Sequence, residues 1–275
     1  MTVNTPKAPD ARDAPDALDV ADVADVADVA DVADASDAPS PPLPAFIDHV
    51  VVAAATLEQG AAWCQATLGA TPRAGGKHEL FGTHNSLLMI ESAAFPQTYL
   101  EIIAIDPDAP PPARPRWFGL DEEATRRRLA DGGPRLWHVA ARTAAIDAHL
   151  AALAAAGIGA GEALAAARQP PAGLLQWRIA VRGDGRLLYG GALPTLIEWP
   201  GSSAWPDGRP DRPGVHPTLA MAPSPVRLRE VFIAGLPPRA IAALGLAGVH
   251  FVPQSAGALR VGFDTPRGPV TLESA

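Results

Sequence analysis

The chain has 275 residues, 48% of them hydrophobic, which is enough to bury one sizeable core or two smaller packed modules. Its single cysteine, Cys64, excludes an intramolecular disulfide, and residues 43–275 carry no net charge, which argues against the basic face that nucleic acid or an anionic membrane requires. No run of 18 uninterrupted apolar residues exists, since even Val139 to Ala156 is broken by Arg142, Asp147 and His149, so a cytoplasmic protein with no membrane span is expected.

From Asp10 to Asp37 an Asp recurs at every third position, and residues 1–42 hold ten Asp against Lys7 and Arg12, which accounts for the whole net charge. A period of three lays no apolar stripe on a helix and fits no strand, while the like charges oppose compaction. Residues 1–42 therefore read as a disordered acidic Ala/Asp/Val repeat tail, set off by a Pro-rich hinge at Pro39 to Pro44. It is neither a secretory signal, which needs a basic start and an apolar centre, nor an Arg-rich transit peptide.

After the hinge, residues 46–54 form a short β-branched run that predicts a buried strand. Thr56, with Gln59 three residues on, makes a capping box for a helix over 57–68 that Gly69 stops. Strands follow around 72–77, 85–90 and 98–105, giving the order βαβββ for a first module over 43–110. A connector over 111–134 carries Arg-Pro-Arg-Trp-Phe-Gly-Leu-Asp (114–121) and a charged stretch at 122–128. The pattern then restarts in a second module, 135–205, with a strand at 135–142, an Ala-rich helix at 144–156, and strands at 174–182 and 193–201. A third, shorter copy spans 206–275, with strands at 227–235, 258–264 and 269–274 and a helix near 239–244.

The first two copies open with a His in a strand, Ile47-Asp48-His49 and Leu136-Trp137-His138, and all three close alike on Glu101, Glu198 and Glu273. The third has Glu230 to Phe232 where a His would stand, so it is expected to cover or complete the sheet and bind no metal. Alternation along a strand sends His49 to the face of Ile47 and Val51, and Glu101 to that of Tyr99 and Ile103. Glu101 among Tyr, Leu and Ile is a charge that burial makes costly unless it is paired or metal-bound.

Over residues 45–275 the chain resembles the vicinal oxygen chelate superfamily and, within it, the glyoxalase-like domain proteins. The resemblance extends to the loop Gly75 to Leu88 and to residues 114–121. It implies an α+β fold in which βαβββ modules form a cupped mixed sheet of the glyoxalase/dihydroxybiphenyl dioxygenase type. It also implies one divalent metal ion (Zn, Ni, Co, Mn or Fe) on His49, Glu101, His138 and Glu198. Two imidazoles and two carboxylates suit such an ion. A substrate with vicinal oxygens would chelate it, with Glu198 first and Glu101 second as the proton-transferring carboxylate of an isomerase or lyase. His78, His84 and Asn85 in the Gly-rich loop, with Trp177 and Arg178 as a stacking surface and anion anchor, are the expected substrate contacts. The competing functions are an Fe(II) extradiol-type dioxygenase using His49, His138 and one Glu, and a metal-free small-molecule binding protein of the resistance type. The partner is a small-molecule substrate, and with both modules in one chain the protein is expected to be a monomer or a homodimer.

Overall fold

The computed structural model describes residues 43–168, 175–199 and 216–274. The acidic tail expected over 1–42 lies outside the described residues. Thirteen strands and four helices are present among them: β1 Ala45–Ala53, α1 Leu57–Leu68, β2 Arg73–His78, β3 Thr83–Met89, β4 Tyr99–Ile105, α2 Glu123–Gly132, β5 Arg135–Arg142, α3 Ile146–Ala155, β6 Glu162–Arg168, β7 Leu175–Val181, β8 Thr195–Glu198, β9 Arg227–Ala234, α4 Pro238–Leu244, β10 Leu246–Ala247, β11 His250–Val252, β12 Ala258–Thr265 and β13 Gly268–Glu273. None of these helices is long and apolar enough to cross a membrane.

The large sheet runs β2-β3-β4-β1-β5-β8-β7-β6, with β10 alongside the start of β1. Each half has the chain order βαβββ and places its opening strand beside its closing one, β1 parallel to β4 and β5 parallel to β8. The halves join through the antiparallel pair β1–β5. At the far ends β2 and β6 touch one another, so the sheet curls into a cup.

Local chemistry explains the elements. Thr56 accepts the Gln59 amide at the start of α1, the Gln59 side chain reaches back to the Ala55 amide, and Gly69 takes the left-handed conformation (φ 73°) that ends the helix. The strands alternate between two apolar layers. Ile47, Val50, Val52, Leu100, Ile102, Val139 and Leu196 face α1, α3 and α4, and Val51, Ile103, Ala140, Trp177 and Ile197 face into the cup. Each fully buried aliphatic side chain such as Ile102 contributes about 1.5–3 kcal/mol.

The C-terminal segment keeps the order β9-α4-β11-β12-β13 but pairs as β11-β9-β12-β13, with its opening strand inside the sheet. Its Val231, Leu259 and Phe263 close over the helix-side core. Four elements escaped the sequence reading, β6, α2 and the short strands β10 and β11. β6 is Ala-rich, Glu-Ala-Leu-Ala-Ala-Ala-Arg, and carries little β propensity, so its pairing along the whole of β7 defines it. The charged stretch of the connector is the helix α2, which buries Thr125 and Leu129.

Candidate functional site

The site begins at an irregularity in β1. Ile47 pairs with Ala141 and His49 with Ala140, so Asp48 is an extra residue in the ladder. Arg142 secures the bulge by donating to the carbonyls of Ile47 at 2.6 Å and Pro96 at 2.9 Å. Asp48 is fully buried, and its Oδ1 lies 2.6 Å from His49 Nδ1. Its Oδ2 accepts from Trp199 Nε1 at 2.9 Å and from His216 Nε2 at 3.0 Å. Burial alone would raise the carboxyl pKa, but the charge and hydrogen bond of His216, then those of His49, hold it far below the ordinary carboxylate range.

His49 stacks on Tyr99, ring centres 4.7 Å apart, and donates Nδ1–H to Asp48, which fixes the ring. Burial disfavours its charged form, but the Asp48 hydrogen bond and the charges of Asp48 and Glu101 outweigh that, and its pKa is raised. Nε2 faces Glu101 Oε2, 3.5 Å away. The other Glu101 oxygen accepts from Asn85 Nδ2 at 2.6 Å, and the Asn85 amide also meets His78 Nε2 at 3.3 Å. His78 Nε2 is 4.0 Å from Glu101, its Nδ1 meets Thr83 Oγ1 at 3.1 Å, and its ring stands edge-on to Trp117 at 4.9 Å. The first half thus assembles His49, Glu101, His78 and Asn85 into one buried polar cluster, and the Trp177 ring lies 6.4 Å from His78.

The second half is built differently. His138 is fully buried and both ring nitrogens are engaged: Nδ1–H donates to the Gly191 carbonyl at 2.8 Å, and Nε2 accepts from the Thr195 hydroxyl at 2.9 Å and its amide at 3.2 Å. Burial pushes its pKa down to about 4, against the Gly191 hydrogen bond and with the help of the His49 charge. Its register partner Val51 stands between it and Glu101, which pairs with Val51 from the other side, so a whole strand separates the two. His138 is a neutral clamp between β5 and the segment leading into β8.

Glu198 corrects the sequence expectation outright. It lies on the same side of β8 as Leu196, facing the helices, while Ile197 faces the cup. One oxygen accepts the Ile146 amide at the start of α3, and the other pairs with Arg178 at 3.0 Å. Arg178 shares that outer face and binds Asp147 as well, so it anchors α3 and no anion in the cup. His84 alternates with Asn85 and lies on the α1 side with Leu88, away from the cluster. The single-residue alternation of a strand is what the two sequence copies concealed: Glu101 and Glu198 follow the same Thr-x-x motif but point to opposite faces.

A four-ligand ion therefore does not fit these residues. His138 has no free lone pair, Glu198 is on the other side of the sheet, and His49 with Glu101 offers two ligands. Among the described residues no three His, Cys, Asp or Glu side chains surround a common point suited to a metal. The facial triad of a dioxygenase fails on His138 for the same reason.

Several members of the site were not singled out from sequence: Asp48, Trp199 and His216. Asp48 was legible as a charge in an otherwise apolar strand, whereas His216 has no local signal, because its partner lies 168 positions away. The connector supplies the rest. Trp117, Phe118 and Leu120 enter the cup, where Trp117 stacks on Phe81 at 3.9 Å and Phe118 leans on His138 at 5.2 Å. Phe118 adopts a left-handed backbone (φ 59°), a cost the surrounding packing sustains.

A family model described as glyoxalase-like domain matches residues 47–247. No curated protein matches the chain. Among solved structures, a hypothetical protein from Staphylococcus aureus is 12% identical, covers 78% of this chain and 88% of its own, and superposes with a TM-score of 0.47. A variant of Streptomyces coelicolor methylmalonyl-CoA epimerase in complex with 2-nitronate-propionyl-CoA is 20% identical over 58% of this chain and 98% of its own, TM-score 0.35. The methylmalonyl-CoA epimerase of Mycobacterium tuberculosis is 22% identical over 55% and 86%, TM-score 0.33.

Proposed function

Because the chain belongs to the glyoxalase-like domain family, we propose that it takes a small oxygen-bearing molecule into its cup and moves one of that molecule's protons to and from Glu101 beside His49, as an isomerase or lyase of the glyoxalase type does. The observation that carries this reading is the 3.5 Å approach of Glu101 Oε2 to His49 Nε2, with the ring fixed by Asp48 and the other carboxylate oxygen held by Asn85. Glu101 removes a proton from a carbon beside a carbonyl: the C–H bond breaks, the proton goes to Oε2, and the electron pair moves onto the carbonyl oxygen as an enolate. The His49 imidazolium donates a hydrogen bond to that oxygen, and return of the proton from Oε2 completes the exchange. No step passes through a metal, since the ligand set expected from sequence does not fit.

The test is hydrogen–deuterium exchange at the carbon beside the carbonyl of pyruvate, 2-oxobutyrate and cyclopentanone, followed by proton NMR in heavy water with chelator-treated protein. Exchange is expected with the wild type and with Glu198→Gln, and is expected to fall about 100-fold in Glu101→Gln. Exchange that survives Glu101→Gln, or that demands one equivalent of a divalent ion, overturns the proposal. No exchange on any of these compounds returns the protein to a metal-free binding role.

A further inference from the structure

Strand β2 carries one residue too many for its partner β3. Ala74 pairs with Ser86 and Lys77 with His84, so Gly75 and Gly76 together stand opposite Asn85, a bulge in the strand at the end of the large sheet. A Cβ on Gly75 would lie 2.0 Å from Asn85 Oδ1 and 3.1 Å from the Asn85 carbonyl oxygen. The Asn85 carboxamide therefore fills the space that a side chain at position 75 would take, and only glycine allows so close an approach.

Chemistry fixes which way the carboxamide is turned. The Gly76 amide can only donate, so the atom 2.9 Å from it is Asn85 Oδ1, and the nitrogen faces inward. One N–H of that nitrogen meets Glu101 Oε1 at 2.6 Å, and the other meets His78 Nε2 at 3.3 Å. Nε2 accepts there, so the His78 ring carries its proton on Nδ1 and donates it to Thr83 Oγ1 at 3.1 Å. Both N–H groups of the buried carboxamide are thus committed within the protein.

We infer that Asn85 is a positioning residue for the proton-transferring carboxylate, and that the Gly75–Gly76 bulge aims it. The carboxamide ties down Oε1 of Glu101 and leaves Oε2, 3.5 Å from His49 Nε2, as the oxygen that exchanges the proton. It also occupies the Nε2 lone pair of His78, 4.0 Å from Glu101, and so denies that ring the proton Glu101 removes.

The inference rests on the proton-transfer reading, and its test separates the two. Gly75→Ala alters no polar side chain but drives the carboxamide off Glu101. Exchange of pyruvate in heavy water is expected to lose about tenfold or more in kcat, the cost of one hydrogen bond to a charged group, with KM held within about twofold. Asn85→Asp keeps an acceptor for the Gly76 amide and sets an oxygen against Glu101 in place of the donor, so it is expected to lose at least as much. In nitrogen-15-labelled wild type the two Nδ2 protons of Asn85 are expected as separate, downfield signals. Gly75→Ala is expected to move them to the position of a free amide while the α1 backbone signals stay in place. Full kcat in Gly75→Ala and Asn85→Asp beside a Glu101→Gln variant that has lost exchange would overturn this inference alone. So would a rise in KM at unchanged kcat, which marks a substrate contact, or Asn85 signals that Gly75→Ala leaves unmoved. Absence of exchange in the wild type would overturn the proton-transfer reading and this inference together.

Discussion

His138 makes acid stability a direct readout of its role as a neutral clamp. In the folded chain its pKa is pushed from 6.5 down to about 4 by burial, while an unfolded chain protonates it at the ordinary value. Between these two pH values the unfolded state holds one more proton, so stability falls as the pH falls, by about 1.4 kcal/mol per unit. Over the 2.5 units from 6.5 to 4 the loss attributable to this residue is about 3 kcal/mol. His49 has the opposite sign. Its pKa is raised, so its contribution is fully present below 6.5 and is lost only as the pH rises through the raised value. The assay is urea unfolding followed by circular dichroism at a series of pH values from about 7.5 to about 4.5, on wild type and His138→Gln. Gln keeps a donor and an acceptor but does not titrate. The variant is expected to be less stable at neutral pH, with a shallower acid slope, so that the two curves converge by about 2.5 kcal/mol over this range. Curves parallel to within about 0.5 kcal/mol would refute the clamp and reopen His138 as a group with an available lone pair.

Two further outcomes follow from the packing. Asp48→Ala leaves the donors of His49, Trp199 and His216 buried without an acceptor; it is expected to cost about 3–5 kcal/mol and to lower the thermal midpoint by about 10 °C, and a change under about 2 °C would show that the three donors find other partners. Gly185→Ala places a Cβ 2.1 Å from the Arg116 carbonyl oxygen at a φ of 69°, so a loss of at least about 2 kcal/mol in urea unfolding is expected, and wild-type stability would mean that the turn holding the connector against the 183–186 loop is not rigid.

The strand-helix alternation was legible because hydrophobic period and caps are local: Thr56, Gln59 and Gly69 bound α1 where the sequence placed it, and the run 135–142 is β5 to the residue. The repeated pattern gave the order of elements but not the pairing of opening and closing strands, which the sheet itself shows. Of the candidate site, the sequence shows Glu101 as a charge whose burial demands a partner, and the structure sets it 3.5 Å from His49. His138 and Glu198 repeat the same spacing, but face and hydrogen-bond occupancy are tertiary facts. Whether a His has a spare lone pair depends on Gly191 and Thr195, more than fifty positions on, and whether a Glu faces the cup depends on a one-residue register. The positions of Trp117 and Phe118 were beyond reach for a related reason, since no local signal announces the left-handed backbone of Phe118 or the stacking of Trp117 on Phe81.

The junction of β1 with β5 sets two equivalent frames back to back, and they have parted company. One keeps an ionisable cluster under strain of burial, and the other has turned its matching imidazole into a strut. The shared β1–β5 junction thus holds an ionisable centre in one frame and a neutral cross-tie in the other.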